Sequence, residues 1–205
     1  MEFLVAEKGS NRKIQIIEEA SRLISSEGFD GMTMKHLASA CDISEPALYR
    51  YFSSKDKIYD AVLESIATRL NNEKLFKKLE KEEDVHVLLS TLADHIIDFY
   101  SKNSDLYRLL LFSALKGHGK AKQVFKMIRG GYVRFLISQF DRLYDAGIIV
   151  KKHNEITARC FTGMVFDCSL STTLWKGMQG KSYKPAEVIA NNVPIYVRGL
   201  KSKED

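Results

Sequence analysis

The chain has 205 residues, 45% hydrophobic and 28% charged, with 31 Lys and Arg against 26 Asp and Glu. This composition excludes a disordered or collagen-like chain, and a chain of this size buries about 70% of its unfolded surface without disulfide staples. No uncharged apolar run nears the ~18 residues of a membrane span. Met1 to Lys8 lack the apolar stretch of a secretory signal, and three cysteines outside any C-x-x-C suggest a reducing, cytoplasmic setting.

Apolar residues recur at three- and four-residue steps throughout, which predicts an all-α chain of about nine helices. Residues 1–10 read as a loose arm. The first helix spans about Arg12 to Glu27, with Ile16, Ala20 and Leu23 on one stripe and Gly28 as its stop. Phe29 is expected to fold back onto Ile24. Thr33 caps a short helix from Met34 to Cys41, and Ser44 caps another from Glu45 to Phe52, with Pro46 tolerated in its first turn. Ser53 and Asp56 form a capping-box pattern for a fourth helix carrying Ile58, Val62, Ile66 and Leu70. Lys77 to Asp84 reads as a solvated connection. Helices are then expected at 85–101, 104–116, 120–146, 154–178 and 185–200. Gly130-Gly131 should bend the third of these, Gly147 and Gly177 stop helices, Pro185 starts one, and Pro194 should kink the last. The expected division is a head, 10–57, and a larger helical body, 58–205.

Two short helices joined by a tight turn make a helix-turn-helix. The crossing demands a small residue, and Ala38 supplies it. The turn demands a left-handed residue four positions later, where Asp42 stands. Leu37, Cys41, Ile43, Leu48 and Phe52 lock the pair inward. The remaining face of the second helix presents Glu45, Pro46, Ala47, Tyr49, Arg50 and Tyr51, side chains suited to phosphates and base edges in a major groove.

The run from Gly31 to Ala38, followed by Ile43 to Asp56 with its Leu48-Tyr49-Arg50-Tyr51-Phe52 core, resembles the tetracycline-repressor (TetR) family of bacterial transcriptional regulators. Asp42 and Pro46 stand where that family commonly has glycine. The resemblance implies that Thr33, Lys35, Tyr49, Tyr51 and Lys55 hold phosphates of an operator duplex. Glu45, Pro46, Ala47 and Arg50 would face bases, and the cap residue Ser44 counts among the DNA-binding residues; for Arg50 a base contact and a phosphate contact both stay open. It further implies a homodimer and a small-molecule effector, apolar or amphipathic, enclosed by the body helices; Ile96, Phe99, Tyr100, Phe112, Tyr132 and Phe166 are the expected lining.

The segment 154–178 is apolar on several faces and must be covered on several sides. Phe161, Met164, Val165, Cys168, Thr172 and Trp175, with Ile189, Val193, Tyr196 and Val197 of the last helix, are the expected four-helix interface with a second chain. Catalytic chemistry finds no constellation: the five histidines (36, 86, 95, 118, 153) are scattered and Gly117 to Lys120 lacks phosphate-loop spacing. His95 with Asp94 and Asp98 is a candidate metal group that reads rather as a solvated turn, and Cys160 with Cys168, a candidate redox pair, reads rather as inert thiols. No metal, cofactor, membrane partner or enzymatic activity is expected. The alternatives are a metal- or thiol-sensing regulator on the same frame, or a helical small-molecule carrier or enzyme whose helix-turn-helix is only a scaffold. The basic excess lies outside the head: residues 1–58 hold 8 basic and 9 acidic side chains, against 23 and 17 in 59–205. Individual residues, not net charge, carry the nucleic-acid reading.

Overall fold

The computed structural model describes residues 2–69, 72–150, 152–173 and 183–201. Among them are ten helices and no strand: α1 Glu2–Gly31, α2 Met34–Ala40, α3 Glu45–Tyr51, α4 Lys55–Arg69, α5 Glu73–Leu79, α6 Val85–Lys102, α7 Ser104–Leu115, α8 Gly119–Asp145, α9 Asn154–Thr173 and α10 Pro185–Leu200. Gly177 and Trp175 lie outside the described residues, as does Leu70. No helix among the described residues is long and apolar enough to cross a membrane.

The chain forms two compact units, one of Met1–Leu70 with Asp105–Phe125, the other of Asn71–Ser104 with Lys126–Asp205. The expected division at 57/58 therefore cuts through α4. The reason is packing: Ile58, Tyr59, Val62, Leu63 and Ile66 of α4 are buried, and α4 lies against α1 of the head.

In the first unit, Ile16, Ala20, Leu23 and Ile24 of α1 are buried at helical spacing. The helix breaks at Gly28, whose φ of 79° is open to glycine at no steric cost. Toward the N-terminus its backbone is helical from Glu2, so the expected loose arm continues α1. Phe29 sits 4.7 Å from the Tyr59 ring. Thr33 Oγ1 accepts the His36 amide (3.0 Å) and Ser44 Oγ accepts the Ala47 amide (3.3 Å), the expected caps. The cap of α4 is one residue later than expected, Ser54 Oγ accepting from the Lys57 amide (3.3 Å).

The turn between α2 and α3 closes through two backbone bonds. Asp42 N donates to Ser39 O (3.1 Å) and Ile43 N to Ala38 O (3.0 Å). This is the pairing of a glycine-type helix stop, with Asp42 at φ 53°, the only non-glycine residue at positive φ among those described. Gly147 ends α8 the same way, through Gly147 N to Tyr144 O (2.9 Å) and Ile148 N to Leu143 O (2.9 Å).

In the second unit, α6 buries Leu88, Leu89, Leu92, Ala93, Ile96, Ile97 and Tyr100 against α9 and α10. The stretch expected as a solvated connection contains the end of α5: Leu79 is buried, and Phe76 stacks on Phe135 at 4.4 Å. Those two residues stand three apart on one helical face, which anchors the short helix. α8 runs on through Gly130-Gly131 and α10 through Pro194.

Much of α9 is covered within the chain itself. Phe161, Val165 and Cys168, with Ile189 and Val193 of α10, are buried within the single chain, where α9 packs on α6 and α10. Met164, Thr172, Tyr196 and Val197 are half-buried. The large apolar side chains exposed on these two helices, among the described residues, are Ile156 and Ile195.

A β-branched residue in the turn tests its geometry. Asp42→Val is expected to destabilise the chain by about 1–2 kcal/mol, because a branched side chain clashes in the left-handed region, whereas Asp42→Gly keeps or raises stability. Urea titration of both variants against the wild type measures this.

Candidate nucleic-acid interface

Each helix of the pair is held by its inner residues. Leu37, Ala38, Cys41, Leu48 and Phe52 are buried, as the spacing predicted, while Ile43 is half-buried. Arg12 of α1 donates to the Cys41 carbonyl (3.3 Å), satisfying an orphan acceptor at the end of α2. Burial pushes the Cys41 thiol up, away from reactivity.

With Leu48 the buried residue of α3, the helix has an open outer side. Pro46 and Arg50 are exposed, Tyr49 is 47% exposed, and Glu45, Ala47 and Tyr51 are half-buried. Glu45 lies in the first turn of α3, where a carboxylate complements the helix dipole. Thr33 and Lys35 are exposed on α2, and Lys35, Asp42 and Glu45 line an open groove of about 580 Å³ at the turn. Lys55 is half-buried: its ammonium donates to the Asp30 carbonyl (3.3 Å) and lies 4.4 Å from the centre of the Phe29 ring. Of the ten residues singled out in the sequence none is buried, and Lys55 is already engaged locally.

Further links within this unit reach across long sequence separations. Lys116 Nζ lies 3.4 Å from Asp30, Ser25 Oγ donates to the Asp105 carbonyl (3.4 Å), and His118 meets the Tyr59 ring edge-on at 4.7 Å. No local signal in the sequence announces such pairs.

The second unit holds most of the expected effector residues together. Ile96, Tyr100, Tyr132 and Phe166 are buried, and Phe99 is half-buried. The Phe166 ring lies 5.0 Å from Tyr100 and 6.2 Å from Tyr132, with the Arg129 guanidinium 4.6 Å from its centre. Phe112 belongs to the first unit and is 52% exposed, while Leu109 and Leu110 of the same helix are buried. Asn72 was overlooked in the sequence. Its Oδ1 takes the Tyr132 hydroxyl (3.1 Å) and lies 3.1 Å from His95 Nε2, so the ring carries its hydrogen there. His95 is thus no part of a solvated turn. Burial lowers its pKa, against the pull of Asp98. Burial also pushes the Tyr132 phenol up to about 12, against the Asn72 bond. Among the described residues no group of three or more His, Cys, Asp or Glu is placed to hold a metal ion.

Residues 16–62 match the family of bacterial regulatory proteins, tetR family. The chain carries that family's helix-turn-helix head. Over 105 residues it is 32% identical to the nucleoid occlusion factor SlmA of Glaesserella parasuis serovar 5 (strain SH0165), covering 51% of each chain. The chain spans between about half and three fifths of the length of the curated relatives it matches, 51% of that one and 62% of the SlmA of Enterobacter sp. (strain 638). In fold it is similar to a TetR transcription regulator from Haloarcula marismortui ATCC 43049 (TM-score 0.71, 16% identity, 94% of this chain and 100% of that one). It is also similar to AibR solved with isovaleryl coenzyme A and operator DNA (TM-score 0.65, 22% identity, 90% and 97%). The tetR resemblance and the all-helical architecture read from the sequence both stand.

Acidification tests the Asn72 node. The folded chain disfavours protonated His95, so the stability it contributes is full above the ordinary histidine value of about 6.5 and is lost as pH falls below it. His95→Gln is expected to flatten that loss in thermal melts between pH 7 and pH 5. Asn72→Ala is expected to cost about 1–3 kcal/mol by leaving buried donors unpaired.

Proposed function

We propose that this chain is a dimeric, ligand-responsive DNA-binding regulator, a repressor released from a palindromic operator when a small apolar or amphipathic effector binds the second unit. The observation that carries this reading is the outer side of α3, where Pro46, Tyr49 and Arg50 stand exposed while Leu48 anchors the helix inward. An aromatic and a cation left in water on a two-turn helix serve packing poorly and a groove well. In this reading Thr33, Lys35, Tyr49, Tyr51 and Lys55 position the phosphates, with the Ser44 hydroxyl, and Glu45, Pro46, Ala47 and Arg50 meet base edges.

One such helix makes few contacts. Two heads on a palindrome combine them, with half-sites one helical turn or a multiple apart. The second chain seats on the outward side of α9 and α10, around Ile156, Cys160, Met164 and Ile195, rather than on the residues buried inside the protomer. The effector binds at the Tyr100, Tyr132 and Phe166 cluster and shifts the DNA-competent population by its differential affinity, about 1–3 kcal/mol. The isovaleryl coenzyme A and operator DNA named for AibR support both halves of this reading by analogy of fold. The same reading places the chain in the cytoplasm and gives it no enzymatic step.

Mobility shifts on the DNA upstream of the chain's own gene test it. Tyr49→Ala is expected to weaken binding to every sequence alike. Arg50→Ala is expected to relax preference at one position per half-site at a cost of about 1–3 kcal/mol if it meets a base; an unchanged preference assigns it to a phosphate. A folded dimer that binds no sequence above background at low salt contradicts the reading. Ile195→Glu is expected to give monomers in sedimentation and to lose operator binding with them.

A further inference from the structure

Beside the exposed face of α3 lies a second groove, of about 350 Å³. Its walls come from α1 through Lys13, from the end of α3 through Tyr51, from the α3–α4 turn through Ser53, from α4 through Lys57, and from the first turn of α8 through Lys120. Two carboxylates, Asp60 and Glu64, also line it. Lys120 meets both, with its Nζ 2.6 Å from Glu64 Oε1 and 3.9 Å from Asp60 Oδ1. The hydrogen bond from Lys120 holds the Glu64 acid below its ordinary value, and the charges of Lys120, Lys13 and Lys57 act in the same direction.

The remaining cations are differently placed. Lys13 Nζ lies 5.3 Å from the centre of the Phe52 ring, and both Lys13 and Lys57 are exposed. Neither forms an ion pair among the described residues. The groove therefore offers two ammonium groups outside any ion pair and two hydroxyls, from Tyr51 and Ser53, while a third lysine balances one of its two acids, so that its three lysines and two carboxylates leave a net positive charge. An open trough of this make-up fits a chain of singly charged anions rather than one compact ligand, and it begins at Tyr51, on the helix proposed to read bases.

We propose that this groove seats the phosphodiester backbone of DNA flanking the half-site. Lys13 and Lys57 contact phosphates directly, and Lys120 is a positioning residue that holds Glu64 and so lessens the repulsion of the phosphates by the two acids. The proposal rests on the reading of the head as a DNA-binding element. Each phosphate neutralised by a lysine releases condensed counterions, so each contact adds about 0.9 to the slope of log affinity against log salt.

Fluorescence anisotropy with two operator duplexes tests this, one ending at the half-sites and one extended by about five base pairs on each side, over a salt series. The extension is expected to tighten wild-type binding about tenfold and to steepen its salt slope. In the double variant Lys13→Gln, Lys57→Gln the two duplexes are expected to bind alike, with the shallower slope. Lys120→Gln is expected to weaken the extended complex about five- to tenfold, and adding Glu64→Gln to restore most of it, a rescue that a merely structural lysine does not give; circular dichroism verifies that every variant is folded. An extension gain that survives the Lys13 and Lys57 substitutions, or no rescue of Lys120→Gln, overturns the proposal. If the wild type prefers neither duplex over a scrambled one, the regulator reading fails with it.

Discussion

The head depends on one reversal of the backbone. At Asp42 the chain enters the left-handed region, and the amides of Asp42 and Ile43 reach back to the Ser39 and Ala38 carbonyls. Those bonds close α2 and aim α3 across it within a few residues. Once that crossing is set, Leu37 and Leu48 can only face the core, and Tyr49 and Arg50 can only face outward. The exposed side of α3 is thus a consequence of turn geometry, not of any preference of its own side chains for water.

Charge in the head is arranged locally rather than in bulk. Several acids of the unit are paired within it: Glu19 with Arg22, Asp30 with Lys116, and Glu64 and Asp60 with Lys120, while Glu27 lies beside the His36 ring. Lys35 and Arg50 form no ion pair among the described residues. A segment with slightly more acids than bases therefore still presents uncommitted cations where a polyanion would lie. For that reason overall isoelectric point says little here about partners.

The parts of the fold legible in the sequence were those written in local signals. Thr33, Ser44, Gly28, Gly147 and Pro185 mark helix ends because caps, left-handed stops and a proline at the first helical position act within one turn. The apolar pattern of α9 also revealed that several of its faces are covered. It does not reveal by what: within the chain, α6 and α10 pack on it. Phe112 shows the same limit: an aromatic on a helical stripe looks like lining until its neighbours are known. Pairs such as Asn72 with Tyr132, or Glu64 with Lys120, stand 60 and 56 residues apart and leave no periodic trace.

The central claim is that this outward side of α3, duplicated in a dimer, reads a specific duplex. Selection from a pool of random-sequence duplexes by the full-length wild type, followed by sequencing, measures this most directly. The account predicts enrichment of a palindrome whose half-sites are centred about one helical turn, or a multiple of it, apart. A pool that stays unenriched after repeated rounds with folded protein contradicts it.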